Sequence, residues 1–217
     1  MPLEVVVLLS FSVLIAAVIA FANFSKIRSI YYPFIYVIWL ASLNEIITYI
    51  LYKNGMYNII NSNIYCLLEA LLLLWFFKNI GCFQLYKWMV HVLGITFIIT
   101  WFVDNFVINQ FGKEYSSWFI LVYSFPVVLL SINAINRLLI RERELLRNPT
   151  FLICIGFIVF FTYRIVVEVF WVYGLAASLT FASKVYDILS IINLLCNLIY
   201  ALAILWMQKK QAFTLQY

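Results

Sequence analysis

Residues 3–24 read LEVVVLLSFSVLIAAVIAFANF, a run in which Glu4 is the single ionisable side chain. Because a helix needs roughly 20 apolar residues to cross a bilayer, this stretch predicts a membrane-spanning helix. Its flanks favour a retained helix over a cleaved leader, since Lys26 and Arg28 follow the apolar run and do not precede it.

Six further runs of this kind fill most of the chain. The seven predicted spans cover residues 3–24, 29–53, 58–78, 87–111, 116–140, 150–173 and 180–207. Hydrophobic residues make up 66% of the 217 residues and charged residues 11%, a balance that a water-soluble domain does not have. We therefore predict an all-α fold, in which residues 1–217 form a single polytopic seven-transmembrane-helix bundle with no soluble domain.

The basic residues predict the orientation of this bundle. Ten Lys and Arg residues lie on the side of the C-terminus, against Lys53 and Lys113 on the other side. Positive charge marks cytoplasmic loops, so the N-terminus is expected outside and the C-terminus in the cytoplasm, in a multi-pass protein of the cell (inner, cytoplasmic) membrane. The lipid bilayer is then the first partner, and no nucleic acid is expected despite a pI near 9.0. The ten residues are Lys26, Arg28, Lys78, Lys87, Arg137, Arg141, Arg143, Arg147, Lys209 and Lys210.

Weak similarities between the two halves suggest an internal repeat. The segment Ser10-Phe11-x-Val13 recurs as Ser124-Phe125-x-Val127, and Ser62 and Tyr65 recur 121 positions later as Ser183 and Tyr186. The hypothesis is a 3+1+3 arrangement of spans, and internal symmetry of this kind is common among membrane carriers. Chance matches between apolar helices are the competing explanation.

Polar side chains form a stripe on each of two predicted helices. At 3.6 residues per turn, spacings of three and four place residues on one helix face, which contacts protein or water and not lipid. Hydrogen bonding between helices is the simpler explanation for such a face, and ligand binding is the alternative. The longer stripe is Ser183, Tyr186, Ser190, Asn193, Asn197 and Tyr200, and the shorter is Asn58, Ser62, Tyr65 and Glu69.

Eight ionisable side chains lie inside the predicted spans, where a charge costs several kcal/mol and marks a functional candidate. They are Glu45, Glu69, His91, Asp104, Arg164, Glu168, Lys184 and Asp187. His91 is expected to stand apart near the cytoplasmic end, and Asp104 to be hydrated near the outer interface. Pairing of Arg164 with Glu168, and of Lys184 with Asp187, would leave Glu45 and Glu69 without a basic partner.

These residues predict a polar, net-acidic site in the outer half of the bundle. Five acids against two bases in this group require water, proton uptake or a bound cation, so a small cationic or protonatable ligand is the expected partner. The predicted binding residues are Glu45, Tyr65, Glu69, Arg164, Glu168, Tyr186, Asp187, Asn193 and Asn197.

The sequence contains no H-E-x-x-H, G-x-S-x-G, Walker A or GxGxxG pattern, so no catalytic motif, metal or cofactor is predicted. The first hypothesis is a ligand- or proton-responsive sensor or signalling module that acts through a cytoplasmic or membrane protein partner. The chain has only six glycines and four prolines, and this small number favours continuous helices over the broken helices of transporters. A small proton- or cation-coupled transporter or channel is the alternative. Two less favoured hypotheses are an intramembrane acid–base hydrolase and a structural subunit of a membrane complex.

The mixed-charge segment 137–147 is the candidate contact surface for a protein partner. Binding of lipid headgroups by these basic side chains is the simpler explanation.

Overall fold

A computed structural model of the chain describes residues 3–109, 111–141, 144–173 and 179–207. Within these residues, seven helical segments are long and apolar enough to cross a membrane, so the chain is a multi-pass membrane protein. The predicted spans are confirmed to within a few residues. The α-helices are α1 (Leu3–Ser10), α2 (Val13–Asn23), α3 (Tyr32–Lys53), α4 (Ile59–Asn79), α5 (Met89–Val103), α6 (Ser117–Arg141), α7 (Pro149–Val172) and α8 (Leu179–Trp206).

Two of the spans depart locally from regular α-helix. The first span is divided into α1 and α2 at Phe11 and Ser12, where the Ser12 amide donates to the Leu9 carbonyl at 3.1 Å, a three-residue spacing that tightens the helix. After α5 the chain enters a π-helical turn, Asp104–Ile108, in which the Asn109 amide donates to the Asp104 carbonyl at 2.9 Å. Both irregularities carry polar side chains that bond to other helices.

Six of the spans form a ring around a central space. The first span (α1 and α2) contacts α3, α3 contacts α4, α4 contacts α6, and α7 and α8 return the ring to the first span. Helix α5 packs outside this ring, against α4 and α6. The 3+1+3 repeat stays a prediction.

Buried aromatic side chains fill the middle of the bundle toward the end where Lys26, Arg28, Lys78 and Arg137 lie, which we call the basic end. Phe34, Phe76, Phe157 and Tyr200, which we call the aromatic plug, come from α3, α4, α7 and α8 and have ring centroids 5.3–6.0 Å apart in contacting pairs. Such pairs prefer edge-on and tilted contacts, which lock the rings against each other. The plug therefore separates the central space from the basic end of the bundle.

The segment 137–147, the candidate contact surface for a partner, is exposed only in part. The Arg137 guanidinium turns back onto the connection between α4 and α5, donating to the Gly81 carbonyl at 2.7 Å and to Cys82 Sγ at 2.9 Å. An exposed ion pair joins Arg147 to Glu144 at 3.2 Å. Residues 142 and 143, and Lys209 and Lys210, lie outside the described residues.

Candidate functional site

A cavity of about 520 Å³ lies at the centre of the ring. It extends from the connection that precedes α6 to the aromatic plug, since its lining includes Tyr115 and Ser117 at one end and Phe34, Phe157 and Tyr200 at the other. Its volume is that of pockets that enclose small organic ligands. Buried side chains of the plug form its floor, and the partly exposed side chains of Tyr115, Trp171 and Tyr186 line its other end.

Eight of the nine predicted binding residues line this cavity. Asp187 is the exception and lies on α8 outside the lining. His91 is exposed on α5, the helix outside the ring, and also lies outside the lining. The eight lining residues are Glu45, Tyr65, Glu69, Arg164, Glu168, Tyr186, Asn193 and Asn197.

The expectation that Glu69 lacks a basic partner is wrong. Arg164 Nη1 lies 3.0 Å from Glu69 Oε2, and only 6% of the Glu69 side chain and 13% of the Arg164 side chain are exposed. The Tyr65 hydroxyl donates to Glu69 Oε1 at 2.6 Å, and the Tyr123 hydroxyl donates to Oε2 at 2.5 Å. Three donors from α4, α6 and α7 therefore satisfy this carboxylate within the protein.

Arg164 is held as firmly as its partner. Its Nη2 donates to Cys66 Sγ at 3.2 Å, and its guanidinium lies 5.7 Å from the Tyr123 ring centroid and 5.9 Å from that of Phe160. Contacts of a guanidinium with aromatic faces stabilise the cation where water is scarce. Arg164 thus joins α7 to α4 across the ring, in place of the simple pairing with Glu168 that the sequence suggests.

The expectation that Asp104 is hydrated is also wrong. Its side chain is fully buried, and Oδ2 accepts the backbone N–H of Phe119 at 2.8 Å while Oδ1 accepts from Asn109 Nδ2 at 3.1 Å. Phe119 is the third residue of α6, where backbone N–H groups have no partner within the helix. Asp104 therefore caps α6 from the π-helical turn and stabilises the positive end of its dipole.

Asn63 anchors the connection that leads into α6, a role that sequence spacing did not reveal. Its side chain donates to Asn105 Oδ1 at 2.8 Å and to the Glu114 carbonyl at 3.0 Å, and it accepts the Ser116 N–H at 3.1 Å. This buried amide positions the backbone beside Tyr115, whose side chain lines the cavity.

The long stripe on α8 faces the cavity but also bonds between helices. Asn197 donates to Ser12 Oγ at 2.8 Å, at the point where the first span is divided. Tyr186, Ser190 and Asn193 line the cavity further from the plug. The Ser183 side chain lies outside the described residues. Hydrogen bonding between helices thus accounts for Asn197, and the rest of the stripe supplies polar cavity wall.

Two carboxylates of the lining stand outside the ion pair of Glu69 with Arg164. The ionisable lining consists of Glu45, Glu69, Glu168 and Arg164, three acids and one base, and Arg164 already neutralises Glu69. Neither Glu45 on α3 nor Glu168 on α7 lies within salt-bridge distance of a basic side chain in the described part of the chain. A partly dehydrated cavity that holds two such acids attracts protons or cations.

In the described ranges, no group of three or more His, Cys, Asp or Glu side chains is arranged to hold a metal ion. The lining also includes aromatic rings and the side-chain amides of Asn44, Asn63, Asn193 and Asn197. No protein-family model, curated protein or solved structure matches this chain.

Proposed function

We propose that this protein is a membrane-embedded receptor for a small organic cation. The observation that supports the proposal is the pair Glu45 and Glu168, which line one cavity with a closed floor while the third acid, Glu69, is neutralised internally. A bound cation would balance the charge of these carboxylates where water is scarce. The closed floor favours reversible binding over passage through the bundle.

Orientation and signal output belong to the same proposal. The excess of Lys and Arg at the end beyond the plug points to the cytoplasm, so the ligand would enter from outside. Occupancy of the cavity would then be communicated to a protein partner in the membrane or cytoplasm.

Calorimetric titration of methylammonium into the protein in phosphatidylglycerol nanodiscs tests the binding step. Glu45→Gln and Glu168→Gln should each weaken binding about tenfold, because a hydrogen bond to a charged group contributes about 1.5–3 kcal/mol and 1.4 kcal/mol is tenfold. Glu144→Gln is the control, as it makes the same charge change at an exposed site outside the cavity lining. Unchanged affinity in the Glu45→Gln/Glu168→Gln double variant would sink the proposal.

A cation-coupled carrier is the second candidate, supported by the ring order and the polar stripe. Uptake of radiolabelled methylammonium into proteoliposomes separates the two functions. Binding without uptake supports the receptor. Uptake that falls in Glu45→Gln but not in Glu144→Gln supports the carrier, since a transported cation must be released from the same carboxylate on the other side.

A further inference from the structure

The rim of the cavity combines aromatic rings with one carboxylate. Tyr115, Trp171 and Tyr186 all line the cavity and are 48%, 53% and 47% exposed, as expected of side chains at an opening. We call these three side chains together with Glu168 the rim. They come from three parts of the chain: the connection before α6, the last turns of α7 and the first turns of α8.

The rim side chains lie close to one another. The Trp171 and Tyr186 rings have centroids 6.5 Å apart and planes at 73°, so they form two walls of a corner. Glu168 precedes Trp171 by one helical turn on α7, and Glu168 and Tyr115 line the same cavity as Tyr186. A carboxylate thus lies beside a corner of electron-rich ring faces.

Such a corner is suited to one class of cation. A metal ion or a primary ammonium group needs several hydrogen-bond acceptors or oxygen ligands to replace its hydration shell. An alkylated ammonium group spreads its charge over methyl groups that cannot donate strong hydrogen bonds, and it is weakly hydrated. Ring faces attract it through their quadrupoles, and the attraction grows when water is excluded.

We propose that the rim selects a quaternary ammonium group, with Tyr115, Trp171 and Tyr186 against its methyl groups and Glu168 balancing its charge. This inference rests on the proposed receptor function and names the class of its ligand. Glu45 faces the cavity from α3 and attracts every cation alike, whereas the rim discriminates between them.

The test compares tetramethylammonium with methylammonium, titrated separately into the protein in phosphatidylglycerol nanodiscs. Tetramethylammonium should bind about tenfold more tightly, the discrimination that a desolvated aromatic site provides. Trp171→Leu should bring the ratio of the two affinities near one. Tyr186→Phe keeps a ring and should preserve the ratio, while Tyr186→Leu should lower it, which gives a second variant should Trp171→Leu fail to fold.

Two controls separate selectivity from general attraction. Trp118→Leu removes an exposed tryptophan at the start of α6 that lies outside the cavity lining, and it should leave the ratio unchanged. Glu45→Gln should weaken both probes by the same factor. A selective loss of tetramethylammonium binding in either control would overturn the assignment to the rim.

The outcomes distinguish this inference from the function on which it rests. Equal affinities for the two probes in the wild type would overturn quaternary selectivity and leave the cation receptor standing. Absence of binding for both probes would overturn the receptor itself. Phosphatidylcholine carries a quaternary ammonium group in its headgroup. Loss of tetramethylammonium binding in phosphatidylcholine nanodiscs would therefore indicate that a lipid headgroup occupies the rim. Retained binding would indicate that the rim binds a free solute.

Discussion

At the scale of single residues, Glu69 and Arg164 form a buried ion pair that further hydrogen bonds surround. The carboxylate accepts from Tyr65, Tyr123 and Arg164, and the guanidinium also reaches Cys66. Breaking a buried ion pair by removing one partner leaves the other charge uncompensated, which costs more than losing both partners together. The pair is therefore expected to govern stability before it affects ligand binding.

Glu69→Gln and Arg164→Met should each lower the free energy of unfolding by about 3–5 kcal/mol, and the double variant should lose less than the sum of the two. Unfolding in mixed SDS–maltoside micelles measures these losses. The exposed pair Glu144 and Arg147 is the matched control, for which the same cycle should give a coupling of at most about 1 kcal/mol. Strictly additive losses at Glu69 and Arg164 would contradict the pairing.

Cys82 allows a test of a residue outside the spans. Burial raises the pKa of its thiol, and the Arg137 guanidinium beside it offsets part of this rise by favouring the thiolate. Only the thiolate is alkylated, so the reaction with iodoacetamide should reach half its maximal rate at a higher pH than that of a free peptide thiol. Mass spectrometry of the peptide that contains Cys82 follows this rate, and a midpoint at or below that of glutathione would refute the expectation.

The sequence identified Glu69 and Arg164 as important but could not pair them. Arg164 is 95 positions from Glu69 and Tyr123 is 54 positions from it, whereas Glu168 lies four positions from Arg164. Spacing along one helix reveals only local partners, and contacts across a bundle depend on which helices become neighbours. The same limit hid the capping of α6 by Asp104 and the anchoring role of Asn63.

At the scale of helices, the spans were predictable because length and hydropathy are local properties. The irregularities at Phe11 and Ser12 and at Asp104–Ile108 were not predictable from glycine or proline, since neither segment contains these residues. In the first span, Ser12 bonds to Asn197, and in the π-helical turn, Asp104 bonds to the start of α6. Tertiary hydrogen bonds thus accompany both irregularities.

Close packing of α7 on α8 gives a prediction at the same scale. A Cβ added at Gly156 would overlap the Tyr200 ring of the aromatic plug, whereas one added at Gly94 would meet Leu74 at an ordinary 3.5 Å. Gly156→Ala should therefore lower the free energy of unfolding by about 1–3 kcal/mol through overpacking. Gly94→Ala, the matched control on α5, should be neutral or stabilise by up to about 1 kcal/mol. Equal effects of the two substitutions in the micelle assay would contradict the packing.

The plug has a second consequence, because Tyr200 also forms part of the cavity floor. Displacement of the Tyr200 ring in Gly156→Ala would change the shape of the cavity floor and leave the side chains of Glu45 and Glu168 unaltered. A change in methylammonium affinity in this variant would link helix packing to ligand binding. Such a link is what a receptor needs, since occupancy of the cavity must alter contacts near the basic end.

At the scale of the whole molecule, the cavity and the basic residues lie toward opposite ends of one bundle. The cavity is lined by helix ends next to connections with few basic residues, and the plug lies between it and the basic connections. A cavity closed on one side has a defined direction once the membrane orientation is known. Orientation therefore decides whether the ligand comes from outside or from the cytoplasm.

Two exposed positions measure that orientation directly. Tyr57, which is 90% exposed, lies in the connection at the cavity end, and Leu85, which is 91% exposed, lies in a connection at the basic end. In a Cys82→Ser background the other cysteines are buried within the spans, so a single added cysteine reports its own side. The positive-inside distribution predicts that a membrane-impermeant maleimide labels Tyr57→Cys in intact cells and Leu85→Cys only after permeabilisation. The reverse pattern would turn the cavity toward the cytoplasm. Any cation that binds the proposed site at Glu45 and Glu168 would then be an intracellular one.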